Sequence, residues 1–159
     1  MAKFTLPVNW QDDYFEKIDF TGVSELYGKL REDFTGGGKS SMAQAEPSKR
    51  MVVEYIKRAH IMGIKFNYLL NTTCIGNLEF TRKGYHRIRK LLDWLAEIGV
   101  DTVTLSMPFL VEVLKKHYPK MKVKISTQAG VNSLEKVRFW EEICTTRPDF
   151  QIRRFTVFK

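Results

Sequence analysis

The stretch Trp94–Ser106, WLAEIGVDTVTLS, contains the repeating unit on which the predicted fold depends. It runs from the end of a helix through Gly99 into a predicted strand, Asp101–Met107, in which apolar and polar residues alternate. A helix, a glycine turn and an alternating strand together indicate a βα repeat whose strand has one covered face and one polar face.

The same order of elements recurs on both sides of this unit. The predicted strands are Lys3–Val8, Val23–Leu30, Lys65–Asn71, Asp101–Met107 and Lys122–Gln128. The predicted helices are Gln11–Phe20, Pro47–Met62, Glu79–Ile98, Pro108–Tyr118 and Ser133–Ile143. Phe80 begins the apolar stripe of the long helix, and Asn132 with Glu135 has the spacing of a capping box before the last one. Five successive βα units predict an α/β fold with a parallel sheet.

The polar strand face predicts a site. In a (β/α) barrel one strand face meets the helices, the other fills the lumen, and active sites lie at the carboxyl ends of the strands. A partial TIM-like barrel is therefore expected. The alternative is an open half-barrel whose polar face is only solvated, and the pattern alone does not separate the two. The residues predicted to bind substrate at the barrel mouth are Asn9, Tyr27, Lys29, Asn67, Asn71, Ser106 and Gln128.

Three stretches resemble the collagenase-like peptidase family, peptidase family U-thirty-two. GIKFNYLLNTTCIGNLEFTRKG (Gly63–Gly84) resembles its third βα unit, and LYGKLREDFTGGGKSS (Leu26–Ser41) its second strand and glycine-containing loop. KVKISTQAGVNSLEKVRFWEE (Lys122–Glu142) resembles a later strand and helix, with the match carried by Ser126, Thr127, Gln128 and Trp140. The resemblance covers about Lys3 to Ile143, the N-terminal part of the family. It implies a TIM-like barrel and a peptidase-like, hydrolase-like activity, or a role in RNA-base or quinone-precursor hydroxylation.

The glycine-rich segment DFTGGGKSS (Asp33–Ser41) is not a Walker A loop, because Asp33 stands where that motif requires its first glycine. The segment is interpreted instead as a loop at the barrel mouth, in which Gly36, Gly37, Gly38 and Lys39 lie close to a ligand. A flexible loop without ligand contact is the alternative.

Some members of the family carry an iron–sulfur cluster held by four cysteines in a later part of the chain. This sequence has Cys74 and Cys144 alone, so no cofactor is expected, and the spacing of its three histidines predicts no metal site. The downstream signature of the family is also missing, which leaves the catalytic residues unassigned. We expect an N-terminal barrel fragment (1–143) with incomplete catalytic machinery, followed by a basic, aromatic tail (144–159).

The formal net charge of +8, from 26 basic and 18 acidic residues, is enough to attract polyanions such as RNA, and the alternative is that it serves only to keep the protein soluble. One predicted helix carries a basic cluster that could bind RNA or could be only its solvated face: Arg82, Lys83, His86, Arg87, Arg89 and Lys90. Exposed strand edges add a third hypothesis, a non-catalytic chain that forms a homo-oligomer by pairing its sheet with another copy. No long apolar window is present, so no membrane span is expected, and a cytoplasmic location is predicted.

Overall fold

The sheet has five parallel strands that pair in chain order, β1-β2-β3-β4-β5. The structure is a computed structural model that describes residues 3–30, 33–36 and 47–145. The strands are β1 (Phe4–Pro7), β2 (Val23–Gly28), β3 (Lys65–Leu70), β4 (Thr102–Leu105) and β5 (Lys122–Ile125). The helices are α1 (Tyr14–Lys17), α2 (Lys49–Ile61), α3 (Arg82–Glu97), α4 (Pro108–His117) and α5 (Leu134–Thr145). The predicted α/β partial barrel with parallel strands is confirmed.

Strand alternation divides the sheet into an apolar face and a polar face. On β3, Phe66, Tyr68 and Leu70 are fully buried within the hydrophobic core. Their register partners include Val103 and Leu105 of β4, so the apolar side chains of neighbouring strands lie side by side beneath the helices. The intervening residues, such as Asn67 and Thr104, form the opposite, polar face.

The sheet curves toward its polar face. Lys124 on β5 forms an ion pair with Glu25 on β2, although β3 and β4 lie between them in the sheet. In a flat sheet these two strands would be about 14 Å apart, since neighbouring strands are separated by roughly 4.8 Å. Curvature of the sheet brings the two side chains together across the concave face, which is the geometry of a partial barrel.

Three predicted elements differ in extent because local side-chain caps end them. The helix predicted over Gln11–Phe20 is a single turn, since Ile18 is extended and Asp19 accepts a hydrogen bond from the backbone of Thr21. Strand β5 ends at Ile125, because the hydroxyl of Ser126 accepts from the Gln128 N–H and starts a 3₁₀ turn. The cap of α5 is Ser133, which accepts from the Lys136 N–H, and the predicted capping box of Asn132 and Glu135 is wrong.

The helix predicted over Glu79–Ile98 divides at Thr81. A 3₁₀ turn, Leu78–Phe80, precedes α3, and the Thr81 hydroxyl caps α3 by accepting from the Gly84 N–H at 3.0 Å. Phe80 therefore lies outside the helix and is 75% exposed, so its assignment to the buried stripe is wrong. Its ring packs on Phe109 at the start of α4, with 5.9 Å between the ring centroids.

Helix α5 extends past the predicted boundary at residue 143 and includes Cys144, which is buried in the core. The predicted tail beyond residue 145 lies outside the described residues. Within the described ranges, none of the helices combines the length and the apolar character that crossing a membrane requires.

Candidate functional site

A chain of polar side chains crosses the concave face near its middle. The Thr104 hydroxyl donates to Oδ1 of Asn67 at 2.9 Å, and Nδ2 of Asn67 donates to Glu25 at 3.3 Å. Glu25 also accepts from Lys124, which completes a connection from β4 through β3 and β2 to β5. Because Asn67 and Glu25 are buried and bonded to one another, the predicted site residue Asn67 holds the curved sheet together. Tyr27 lies beside Asn67, in register on β2.

The carboxyl ends of β3 and β4 bring two predicted site residues together. The Ser106 hydroxyl donates to the backbone carbonyl of Asn71 at 3.1 Å. The side-chain oxygen of Asn71 is buried and has no hydrogen-bond partner within the described part of the chain. Asn71 therefore has a buried acceptor without a partner among the described residues, at the carboxyl edge of the central strand, where barrel sites are built.

The connection between β3 and α3 contains a second unused acceptor. Glu79, in the 3₁₀ turn after β3, is buried, and its Oε2 atom lacks a partner among the described residues. Thr72 fixes the start of this connection by donating to the Cys74 carbonyl at 2.9 Å. Asn71 and Glu79 thus supply two buried oxygens from one βα connection.

Lys29 is held in a buried ion pair. Its ammonium group lies 3.0 Å from Oδ2 of Asp33 and donates to the Gly36 carbonyl at 2.5 Å, and both charged side chains are almost fully buried. Tyr68 donates to the same carboxylate at 3.0 Å. These bonds fold residues 33–36 onto the end of β2, with Gly36 at a φ of +63° in open space. The other predicted loop residues, Gly37, Gly38 and Lys39, lie outside the described residues.

The two remaining predicted residues lie at the periphery. Asn9 forms two hydrogen bonds of 3.1 Å with Gln11 in the turn after β1. Gln128 is exposed in the 3₁₀ turn that follows β5. The structure therefore groups the predicted mouth residues as Tyr27 with Asn67 and Asn71 with Ser106, and it leaves Lys29, Asn9 and Gln128 in separate surroundings.

The predicted basic cluster lies on α3 and is largely exposed, the exception being Arg89, whose Nε donates to the Tyr118 hydroxyl at 2.9 Å. Hydrogen bonding to Tyr118 and then to Tyr85 raises the pKa of Arg89 above its usual value. The exposed members are Arg82, Lys83, His86, Arg87 and Lys90. The guanidinium of Arg87 covers the ring of Phe34 at 4.8 Å, so this surface also contains one cation–aromatic pair.

The two cysteines do not form part of a common site. Cys74 is exposed in the connection after β3, whereas Cys144 is buried in α5, where burial raises the pKa of its thiol. Within the described ranges, no group of three or more His, Cys, Asp and Glu side chains is placed to hold a metal ion. These cysteines therefore do not fit the four-thiolate site of an iron–sulfur cluster.

The model of Peptidase family U32 matches residues 38–147, well over half of the chain. The chain belongs to peptidase family U32. A solved structure described as the U32 peptidase Mk0906 superposes with a TM-score of 0.74 at 24% identity, over 90% of this chain and 56% of that one. This likeness shows the fold, and the partial barrel described above is that of the U32 relative.

Two curated proteins resemble the chain in sequence. It is 33% identical over 110 residues to the uncharacterized protease MJ1657 of Methanocaldococcus jannaschii, which is 69% of this chain and 32% of that protein. It is 30% identical over 92 residues to tRNA hydroxylation protein P of Escherichia coli strain K12, which is 58% of this chain and 19% of that protein. The chain thus matches less than a third of the length of either relative.

Sequence reasoning missed three polar residues of this U32 barrel: Glu25, Asp33 and Glu79. Glu25 could have been found from the sequence, because its charged side chain interrupts the apolar alternation of β2. Asp33 follows Lys29 by four residues, a spacing that fits an ion pair but also occurs by chance. No sequence pattern identifies Glu79, because the predicted helix starts at this residue whereas α3 starts at Arg82.

Proposed function

We propose that the chain binds a polypeptide at the carboxyl ends of β3 and β4, in the manner of a substrate-binding half of a U32 barrel. The observation that carries this proposal is the buried, unpartnered Oδ1 of Asn71. A buried acceptor without a donor costs about 1–3 kcal/mol. A ligand N–H group that reaches Asn71 recovers this free energy on binding.

The chemistry of the two unused oxygens favours a peptide over a nucleic-acid backbone. Asn71 Oδ1 and Glu79 Oε2 both accept hydrogen bonds, and a peptide supplies one N–H donor for each residue other than proline. Phosphate groups supply acceptors only, and a carboxylate repels them. Leu78 and Phe80, on either side of Glu79, are exposed and offer apolar contact to substrate side chains.

We further propose that the described part of the chain binds peptide without cleaving it. Nucleophilic hydrolysis needs a nucleophile within hydrogen-bond reach of a base. The two histidines with hydrogen-bond partners in the described ranges are engaged elsewhere, His60 with Asp101 at 2.8 Å and His117 with the Tyr85 hydroxyl at 3.3 Å. The exposed thiol of Cys74 accepts from the Gly76 N–H at 3.3 Å.

The experiment is a titration of a fluorescein-labelled collagen-type peptide with the purified chain, followed by fluorescence anisotropy, with mass spectrometry of the peptide afterwards. Asn71→Ala should weaken binding about tenfold, the equivalent of one hydrogen bond to a buried group. The free energy of unfolding should change by less than about 1 kcal/mol, because Ser106 bonds to the backbone of Asn71. Asn132→Ala, a surface substitution just before α5, is the matched control.

Equal affinity of the Asn71→Ala and Asn132→Ala proteins for the peptide would contradict the proposed mouth. Peptide cleavage by the unmodified chain, lost on substitution of Cys74 by serine, would contradict binding without hydrolysis.

RNA binding through α3 is the second candidate function. Its support is the row of exposed basic side chains on α3, together with the likeness to a protein named for tRNA hydroxylation. The double substitution Lys83→Gln with Arg87→Gln should weaken tRNA binding and reduce its dependence on salt, because each phosphate contact releases counterions. The control is Lys57→Gln on α2. Unchanged binding by the double variant would exclude α3 as the contact surface.

A further inference from the structure

A second polar site lies at the opposite end of the strands. A cavity of about 160 Å³ opens at their amino ends, and none of the residues predicted for the mouth lines it. Among its described lining residues are four lysines, Lys3, Lys65, Lys122 and Lys124, and a single acidic residue, Glu25. The cavity is therefore cationic, whereas the mouth presents acceptor oxygens.

The strand register fixes the positions of these groups. Lys65 of β3 is the register partner of Glu25 of β2, and Lys122 of β5 is the partner of Thr102 of β4, which also lines the cavity. Lys65 and Lys122 thus come from different strands of the barrel, each at the first residue of its strand. Because Lys65, Lys122 and Lys124 lie on strands of one sheet, their positions beside the cavity do not depend on the ordering of a loop.

The charges that line the cavity are unbalanced. With Lys122 left out of the count, Lys3, Lys65 and Lys124 still exceed the one carboxylate among the described lining residues by two formal positive charges. Glu25 is also already engaged, since it accepts from both Lys124 and Asn67. Ammonium groups that converge on a partly enclosed space repel one another, and a cleft focuses their field. An anion between them would convert this repulsion into attraction.

We propose that this cavity binds a small anion with two or more oxygen atoms, of the size of inorganic phosphate or a short dicarboxylate. The cavity has the volume of about five water molecules, which accommodates such an anion together with some solvent. Lysine ammonium groups and the Thr102 hydroxyl are donors suited to its oxygens. This site is independent of peptide binding at the mouth.

Two substitutions with opposite expected effects test the proposal. Lys65→Gln removes one cation and should weaken phosphate binding about tenfold, the loss expected for a charge-assisted hydrogen bond. Glu25→Gln removes the acidic residue and releases Lys124, so it should strengthen phosphate binding by about fivefold or more. The amide that this substitution introduces remains able to bond with Asn67, which preserves the connection to β3.

The probes are inorganic phosphate and succinate, titrated calorimetrically into the full chain at constant ionic strength. Lys57→Gln, on the exposed surface of α2, makes the same charge change away from the cavity and is the control. Saturable phosphate binding that weakens in Lys65→Gln and not in Lys57→Gln supports the site, and preference between the two probes identifies the class of anion. The proposal is overturned if neither anion binds, or if both lysine variants change binding equally. If Glu25→Gln does not fold, the Lys65→Gln comparison alone decides.

Discussion

The hydroxyl of Tyr68 on β3 donates a 3.0 Å hydrogen bond to Oδ2 of Asp33, which lies 35 residues earlier in the chain. The same hydroxyl accepts from the backbone N–H of Leu30 at 3.1 Å. One buried phenol therefore links the helix-covered face of the central strand to the loop that follows β2. Asp33, in the loop after β2, is therefore held twice, by the hydrogen bond from Tyr68 and by the ion pair with Lys29.

Tyr68→Phe should lower the free energy of unfolding by about 2–3 kcal/mol, because it leaves a buried carboxylate oxygen and a buried N–H without this partner. Urea denaturation followed by circular dichroism measures the change. Tyr85→Phe removes a half-buried hydroxyl that bonds to His117 at 3.3 Å and to Arg89, neither of which is fully buried, and should cost about 1 kcal/mol or less. Equal losses in the two variants would show that the link to Asp33 contributes nothing specific.

Gly84→Ala should destabilise the chain by about 3 kcal/mol, at the upper end for forced overpacking. An added Cβ would lie 1.8 Å from the carbonyl oxygen of Leu78, so the turn before α3 would have to move. Gly63→Ala is the comparison, because its φ of +72° imposes backbone strain of about 1–2 kcal/mol with open space around the Cβ. A smaller loss for Gly84→Ala than for Gly63→Ala would contradict the close approach.

Stability should fall between pH 10 and pH 12. Burial raises the pKa of Tyr14 to about 12, and burial followed by the hydrogen bond with Asp93 raises the pKa of Tyr118 to about 12. Above pH 10 the unfolded chain ionises these phenols while the folded chain keeps them neutral, so unfolding becomes easier as the pH rises. Each phenol contributes up to about 1.4 kcal/mol per pH unit in this window.

Urea midpoints measured from pH 9 to pH 11.5 test this dependence, and absorbance at 295 nm follows the phenolates directly. In Tyr118→Phe the slope of stability against pH should be shallower, whatever the loss of stability at pH 9. An unchanged slope would mean that Tyr118 has the same pKa in the folded and the unfolded chain.

Phe4→Lys should reduce self-association. Strand β1 ends the sheet on one side among the described residues, and Phe4 is 56% exposed there, whereas β5 on the other side carries Lys122 and Lys124. Charges on an edge strand discourage pairing with another chain. Sedimentation velocity at tens of micromolar measures the oligomer, and Ile61→Lys, at an even more exposed apolar position on α2, is the control. Dimers that persist in Phe4→Lys but not in Ile61→Lys would place the contact on α2.

The sheet could be predicted from the sequence because alternation is a repeated signal. All strands except β2 contain apolar residues at a spacing of two, and a glycine such as Gly99 lies in the turn before β2, β3 and β4. Helix ends were less predictable, because a single hydroxyl decides them. Thr81, Ser126 and Ser133 each capture one backbone N–H, and nothing in the apolar pattern distinguishes them from other polar residues.

The candidate site was predictable only where it follows from strand order. Asn71 and Ser106 end neighbouring strands, so their proximity follows from the parallel sheet. The ion pair between Lys29 and Asp33 depends on the path of a loop, and the cationic cavity depends on the curvature of the whole sheet. Neither property is encoded in a local spacing.

The ion pair between Glu25 and Lys124 joins residues 99 positions apart, whereas every strand of the sheet pairs with the strand just before it in the chain. During synthesis the ribosome releases β1 first, so each new strand finds its partner already present. The link from Glu25 to Lys124 has to wait until nearly the entire sheet has emerged. We therefore expect the sheet to grow from β1 toward β5, with the bond across its concave face among the last to form.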